Sequence, residues 1–208
     1  MFKVSDSFNK GVLLAGPSAE SFRMMYANLQ RKLEMNGNLL MLTSPSDQLD
    51  HSLLTAKLAV CFAEQGKNTL LVDANIRNPF LHQLMGIHNT KGLSDVLTKE
   101  QSTKLYARVA DLDHLSLLPA GPSVPNLTEV WSSERLKKWT EELRSNYDVV
   151  IFDAPPLLKV SDPQLLADYC DGVLLVIKEK QTKREQLYAA KKLLQQAEND
   201  ILGVIYQT

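Results

Sequence analysis

From Leu39 onward, short apolar runs alternate with longer stretches in which apolar residues recur at helical spacing. The runs predict strands at Leu39–Thr43, Thr69–Val72, Leu115–Leu118, Val149–Phe152, Val173–Ile177 and Ile201–Tyr206. The intervening stretches predict helices at Ser52–Glu64, Ser133–Arg144, Pro163–Ala167 and Thr182–Ala197. Strands that are apolar throughout must be covered on both faces. The pattern therefore predicts an α/β fold: a doubly wound, mostly parallel sheet flanked by helices in three layers.

Two of the helical stretches carry more detailed signals. Ahead of the sheet, Ser18–Glu34 has one apolar stripe, which predicts a helix packed on the outside of the sheet. The stripe consists of Phe22, Met25, Leu29 and Leu33. In the last helix, Thr182 followed by Glu185 has the spacing of a capping box.

The chain is expected to form a single domain over residues 1–208, with an N-terminal segment 1–37 and a sheet core 38–208. No repeat and no Pro, Gly or Ser-rich linker divides it. Its net charge of −1, from 23 basic and 24 acidic residues, gives no general field to attract nucleic acid or an anionic membrane. The apolar runs are too short to span a bilayer and no signal peptide is recognised, so a cytoplasmic location is expected.

Acidic residues stand where strands end. Asp73 and Asp153 each follow a predicted strand directly, and Asp162 comes soon after the second of them. Open α/β sheets place their ligands at the carboxyl ends of the strands. The three acids are therefore expected to converge on one edge, either to hold Mg²⁺ and phosphate or to cap the turns and helices that follow.

Five blocks of sequence, in the same order, resemble the cytoplasmic domain of bacterial tyrosine kinases of capsular and exopolysaccharide synthesis. These blocks are Gly66–Pro79, Gly92–Leu97, Pro125–Ser133, Tyr147–Pro156 and Asp171–Val176. Those kinases share the deviant-Walker P-loop class with the MinD and ParA ATPases. The resemblance implies a P-loop NTPase-like fold.

The resemblance also implies roles for individual residues. Asp73 matches an acid that serves magnesium and activates the attacking hydroxyl, and Asp153 matches the Walker B acid that holds magnesium through water. Ser52 falls on the P-loop hydroxyl that binds the same ion. Glu20 and Arg23 match the start of a Glu-x-x-Arg-x-x-Arg motif, through which family members assemble into rings.

The chain departs from the family at the P-loop itself. Where the family reads Gly-Glu-Gly-Lys-Ser, this chain reads Gln48-Leu-Asp-His-Ser52. Gln48 and Asp50 replace glycines whose backbone N–H groups must turn toward phosphate without a side chain in the way. His51 replaces the lysine, and a histidine is mostly neutral at cytosolic pH.

Other substitutions point in the same direction. Asp47 joins Asp50 in placing negative charge beside a polyanionic ligand, and Asn75 replaces the second acid of the family's Asp-x-Asp. Tyr26 stands where the helix motif would have its second arginine. No tyrosine cluster of the kind that the kinases phosphorylate follows Tyr206.

These departures favour a pseudokinase that binds no nucleotide with normal affinity and regulates by binding. Its expected partner is a membrane-embedded regulator of polysaccharide chain length or an active kinase paralogue, through which it would reach the inner face of the membrane. A homo-oligomer is also expected. Two alternatives stay open: an active tyrosine kinase that holds Mg-ATP in an atypical loop, and a positioning ATPase like MinD or ParA.

Overall fold

A computed structural model of the chain describes residues 18–46, 51–99, 102–109, 112–125, 131 and 134–207. The strands are β1 (Leu39–Thr43), β2 (Thr69–Asp73), β3 (Arg108–Val109), β4 (Leu115–Leu118), β5 (Val149–Asp153), β6 (Gly172–Lys178) and β7 (Ile201–Gln207). The helices are α1 (Ser18–Asn36), α2 (His51–Glu64), α3 (Leu81–Leu84), α4 (Leu93–Lys99), α5 (Glu134–Asn146), α6 (Asp162–Ala167) and α7 (Arg184–Gln196). A 3₁₀ turn occupies Thr103–Leu105.

The strands form one sheet in the order β3-β4-β2-β5-β1-β6-β7. Every neighbouring pair is parallel except β3 with β4, which is antiparallel. All six predicted strands are confirmed to within a residue or so at either end. The two-residue strand β3 and the short helices α3 and α4 were not predicted, because each is too brief to show a period.

The core lies on both faces of the sheet, as the continuous apolar strands predicted. Strands β1, β2 and β5 are buried at every position. One apolar cluster includes α4, α5 and α7 on the first face, and the other includes α1 and α2 on the second. The layers are those of the predicted three-layer α/β/α fold.

Helix α1 packs on the outside of this frame, as its stripe predicted. Phe22, Leu29 and Leu33 are buried and Met25 is partly buried against the same cluster. Tyr26 stacks edge-on against Phe62 of α2, with ring centroids 4.9 Å apart. None of the helices in the described ranges is long and apolar enough to cross a membrane.

The predicted capping box at Thr182 is wrong. The Thr182 hydroxyl accepts a hydrogen bond from the backbone N–H of Lys178, 3.0 Å away, so it closes the preceding turn. Helix α7 begins two residues later, at Arg184. There the backbone N–H of Lys183 donates to Oε1 of Gln186, at 3.0 Å.

Candidate functional site

Two carboxyl groups lie side by side at the carboxyl edge of the sheet. Asp73 ends β2 and Asp153 ends β5, and the two residues are paired in register on neighbouring strands. Both are fully buried. The predicted meeting of these two acids follows from the parallel pairing of their strands.

Asp73 is held by backbone N–H groups. Its Oδ2 accepts hydrogen bonds from the amides of Phe80 and Leu81, each at 3.0 Å, and its Oδ1 accepts from the amide of Asn75 at 3.3 Å. The side chain therefore fixes the turn after β2 and the start of α3. Burial and the neighbouring charge of Asp153 nevertheless raise the pKa of Asp73 to about 8.

Asp153 is approached from helix α2. The hydroxyl of Thr55 donates to its Oδ1 at 2.8 Å, and Nε2 of His51 lies 3.4 Å from the same oxygen. The same ring nitrogen is 3.2 Å from the carbonyl oxygen of Ala154. Oδ2 of Asp153 is buried and has no hydrogen-bond partner among the described residues.

Asp162 does not join this pair. Arg77 binds it with two hydrogen bonds, Nε to Oδ2 at 2.7 Å and Nη2 to Oδ1 at 3.2 Å. Of the two predicted roles for this acid, a shared Mg²⁺ site is not supported, since Arg77 in the loop after β2 binds its carboxylate and Asp162 begins helix α6. In the part of the chain that the structure describes, no three His, Cys, Asp or Glu side chains are grouped so that they could hold a metal ion.

Only some of the positions that the sequence analysis matched to a P-loop lie within the described residues. His51 and Ser52 open helix α2 and are both buried, at 6% exposure each. Asp47, Gln48 and Asp50 lie outside the described residues. The described part thus places His51, which the sequence analysis matched to the family's lysine, directly against Asp153.

The described side chains fit a magnesium nucleotide poorly. One atom favours a cation, the partnerless Oδ2 of Asp153. Against that, both oxygens of Asp73 are engaged by backbone amides, and the imidazole of His51 lies beside Asp153. His51 also lacks the permanent charge that a lysine offers to phosphate.

Two contacts of this site were not predicted. Thr55 follows His51 by one helical turn and also donates to the carbonyl oxygen of His51 at 3.0 Å. That spacing was available in the sequence, since residues four apart lie on one helix face. The Arg77–Asp162 pair joins the loop after β2 to the first residue of α6, 85 positions apart, and gave no local signal.

The predicted oligomerisation residues lie on the solvent side of α1. Nη1 of Arg23 and Oε2 of Glu20 are 3.3 Å apart, with both side chains more than half exposed. Such an exposed pair contributes little to folding. Its residues are therefore accessible for contacts with another chain.

Comparison with known proteins places these features in context. A family profile described as "AAA domain" matches residues 52–204. The tyrosine-protein kinase YwqD of Bacillus subtilis (strain 168) is 37% identical over 189 residues, which cover 90% of this chain and 80% of the relative. The putative tyrosine-protein kinase CapB of Staphylococcus aureus is 29% identical over 192 residues, covering 90% and 82%.

Solved structures show the same fold. The chimerical protein CapA2B2 superposes with a TM-score of 0.87 at 28% identity, covering 92% of this chain and 85% of that chain. The kinase domain of the Escherichia coli tyrosine kinase ETK gives 0.91 at 24% identity, covering 100% and 82%. The septum site-determining protein MinD of Pyrococcus horikoshii OT3, solved with Mg-ADP, gives 0.67 at 20% identity, covering 81% and 69%.

Proposed function

Because this chain belongs to the bacterial tyrosine kinase family, we propose that it is a pseudokinase domain of capsule or exopolysaccharide synthesis. It acts by binding a partner and does not transfer phosphate. The observation that carries this proposal is the contact between His51 and Asp153, in which Nε2 lies 3.4 Å from Oδ1. The residue at the P-loop lysine position contacts the Walker B acid, so it is poorly placed to bind a phosphate.

The loss of charge supports this function. A P-loop lysine supplies a permanent cation to the β- and γ-phosphates, and removal of one such group typically lowers the rate by ~10²–10³. Here the cation is missing, and the sequence adds Asp47 and Asp50 in the same loop. The remaining electrostatic field opposes a polyanion.

The surroundings of the Asp73 carboxyl group also support the pseudokinase proposal. In the family this acid serves magnesium and the attacking hydroxyl. In this chain its carboxyl group is fully buried, accepts three backbone hydrogen bonds and has its pKa raised to about 8. A raised pKa makes this carboxyl group a weaker ligand for Mg²⁺, and its three backbone hydrogen bonds occupy both of its oxygens.

The proposed domain spans residues 1–208, and its partner is a membrane-embedded regulator of polysaccharide chain length or an active kinase paralogue. That contact would hold a cytoplasmic chain at the inner face of the membrane. Self-association through α1 is part of the same proposal. Its support is the exposed Glu20–Arg23 pair, which matches the start of the family's assembly motif.

Calorimetry and thermal unfolding with Mg-ADP and Mg-ATP test the proposal. The natural chain should show no binding and no rise in Tm at about 1 mM nucleotide, whereas a ligand at 100 times its Kd would stabilise by ~2.7 kcal/mol, or several degrees. The variant Gln48→Gly, Asp50→Gly, His51→Lys should bind. Binding by the natural chain at micromolar concentrations would refute the pseudokinase assignment.

A matched control makes the same exchanges elsewhere. Asp113 and His114 are exposed residues in the turn before β4, so Asp113→Gly with His114→Lys changes the charge equally at a remote place. This control should leave nucleotide binding absent. If the control chain binds nucleotide as well as the P-loop variant does, the change in charge alone explains the gained binding, and the restored loop does not.

One observation favours an active kinase with an atypical loop as the second candidate. Oδ2 of Asp153 is buried without a partner among the described residues, and a cation would satisfy it. In that case Ser52, Asp73 and Asp153 would be the residues to hold Mg²⁺. Phosphorylation of a tyrosine peptide that is lost on Asp153→Asn would establish this alternative.

A further inference from the structure

Strand β7 forms an edge of the sheet and carries exposed apolar side chains. Among the described residues it pairs only with β6. Val204 is 50% exposed and Tyr206 is 58% exposed, and the strand Ile201–Gln207 contains neither a charged residue nor a proline. An edge of this kind is a template for another strand unless something protects it.

The main chain of β7 has hydrogen-bonding groups along this edge that no described strand takes up. The carbonyl oxygen of Gln207 accepts a bond from the amide of Glu179 at 2.7 Å, so Gln207 faces inward toward β6 and its turn. Alternation along the strand then directs the N–H and C=O groups of Val204 and Tyr206 outward. Near the start of the strand, Nζ of Lys32 donates to the carbonyl oxygen of Leu202 at 2.8 Å.

A groove runs beside these residues, between β7 and helix α7. Its volume is about 830 Å³, and Leu175, Leu187, Tyr188, Ile201 and Val204 form much of its apolar lining. Tyr188 is 57% exposed, with the Arg184 guanidinium 5.4 Å from its ring centroid. The edge and the groove adjoin each other, and the groove lining is mixed, with Lys191, Glu198 and Asp200 beside the apolar residues.

We propose that β7 pairs antiparallel with β7 of a second copy of this chain, about a two-fold axis through Ile205. In that register the outward main-chain groups of Val204 bond to those of Tyr206 in the other copy, and the reverse bonds form by symmetry. Each Val204 side chain then lies opposite a Tyr206 side chain. Pairs of an aromatic with a β-branched residue are among the favourable cross-strand pairs.

Charge complementarity favours a second copy as the occupant. Glu198 and Asp200 precede the strand at one end and carry two negative charges, whereas Lys178, Glu179 and Lys180 lie beside its other end and carry a net positive charge. An antiparallel arrangement brings the acidic end of each copy toward the basic end of the other. This contact lies outside the nucleotide site, and the proposed pseudokinase role does not depend on it.

Sedimentation equilibrium and amide hydrogen exchange test the pairing on the full chain. We expect a species of twice the 23.3 kDa mass of one chain as concentration rises. The amides of Val204 and Tyr206 should become protected over the same concentration range, because they enter hydrogen bonds only in the dimer. Val204→Lys should raise the dimer dissociation constant at least about tenfold, since symmetry removes both cross-strand pairs.

Leu158→Lys provides the matched control. Leu158 is an apolar residue that is 36% exposed, and it lies in the turn after β5, three strands from β7 and outside α1. It should leave the β7 dimer and its amide protection unchanged. A chain that stays single at about 0.2 mM, a dimer that survives Val204→Lys, or a dimer without protection at Val204 and Tyr206 would each overturn the proposal.

Discussion

Asp73 and Asp153 are paired in register at the ends of β2 and β5, and their two buried carboxyl groups share one edge of the sheet. Neighbouring strands are only ~4.8 Å apart, so two charges at these positions repel strongly when both groups are fully buried. Folding is therefore easier when one of the two groups carries a proton. Two of the predictions below concern the residues around this pair.

The first prediction concerns pH. The pKa of Asp73 is about 8 in the folded chain against 3.8 for the unperturbed group, so the folded state binds the extra proton between these values. The stability that depends on this group should be highest near pH 4 and should fall as pH rises toward 8. Asp73→Asn should flatten this slope in urea unfolding measured across that range.

The outcome that would contradict this prediction is equal pH slopes in the two proteins. The variant Asp148→Asn is a suitable control, because Asp148 is an exposed residue whose Oδ2 accepts a hydrogen bond from the amide of Asn68 at 2.7 Å. Its effect on the slope between pH 4 and 8 should be small.

The second prediction concerns Thr55. Its hydroxyl donates to Oδ1 of Asp153 at 2.8 Å inside the core. Thr55→Val keeps the shape but removes this donor, and an unsatisfied buried acceptor costs about 1–3 kcal/mol. Urea unfolding should show that loss, while Thr55→Ser retains the hydroxyl and should lose less. A loss in Thr55→Val no larger than that in Thr55→Ser would contradict this prediction, because only Thr55→Val removes the hydroxyl donor.

The third prediction concerns the ion pair between Arg77, in the loop after β2, and Asp162, at the start of α6. Asp162 is buried at 1% exposure and Arg77 is its bidentate partner. Arg77→Ala should destabilise by about 2 kcal/mol, below the ~3–5 kcal/mol of a fully buried pair, because the Arg77 side chain is 46% exposed to screening water. Arg77→Lys keeps the positive charge but loses the two parallel hydrogen bonds of the guanidinium group. Its urea midpoint should therefore lie between those of the natural chain and Arg77→Ala.

The fourth prediction concerns Gly92, which begins the turn into α4. A Cβ at this position would collide with the carbonyl of Pro119 and lie 2.6 Å from the amide nitrogen of Gly121. Because both obstacles are backbone, Gly92→Ala should lower stability by about 3 kcal/mol or more. Gly66→Ala meets no atom within 4 Å and strains only a positive φ of 77°, so its loss should be nearer ~1 kcal/mol.

Sequence patterns were sufficient for the frame of the fold because its strands are long, parallel and apolar on both faces. They also placed Asp73 and Asp153 together, since parallel strands bring their ends to one edge. They failed for β3, which has two residues and is held only by pairing with β4. They failed again at Thr182. Its hydroxyl accepts a hydrogen bond from the amide of Lys178 in the preceding turn, whereas the local spacing had predicted that it caps helix α7.

The chemistry of the site was less accessible from the sequence. The substitution of His51 for lysine was visible, but its contact with Asp153 depends on how α2 lies across β5. The binding of Asp162 by Arg77 depends on how the loop after β2 lies against the start of α6. Such contacts between distant segments are set by the packed fold and have no signature in a window of neighbouring residues.

The hydrogen bond from Lys32 to Leu202 connects the outer helix α1 with the rim of the sheet. A movement of α1 away from the body would withdraw this lysine and release a further carbonyl beside Val204. A change at α1 would thus alter how readily β7 pairs with another strand. A ligand that binds α1 would in this way regulate the proposed association of chains along β7.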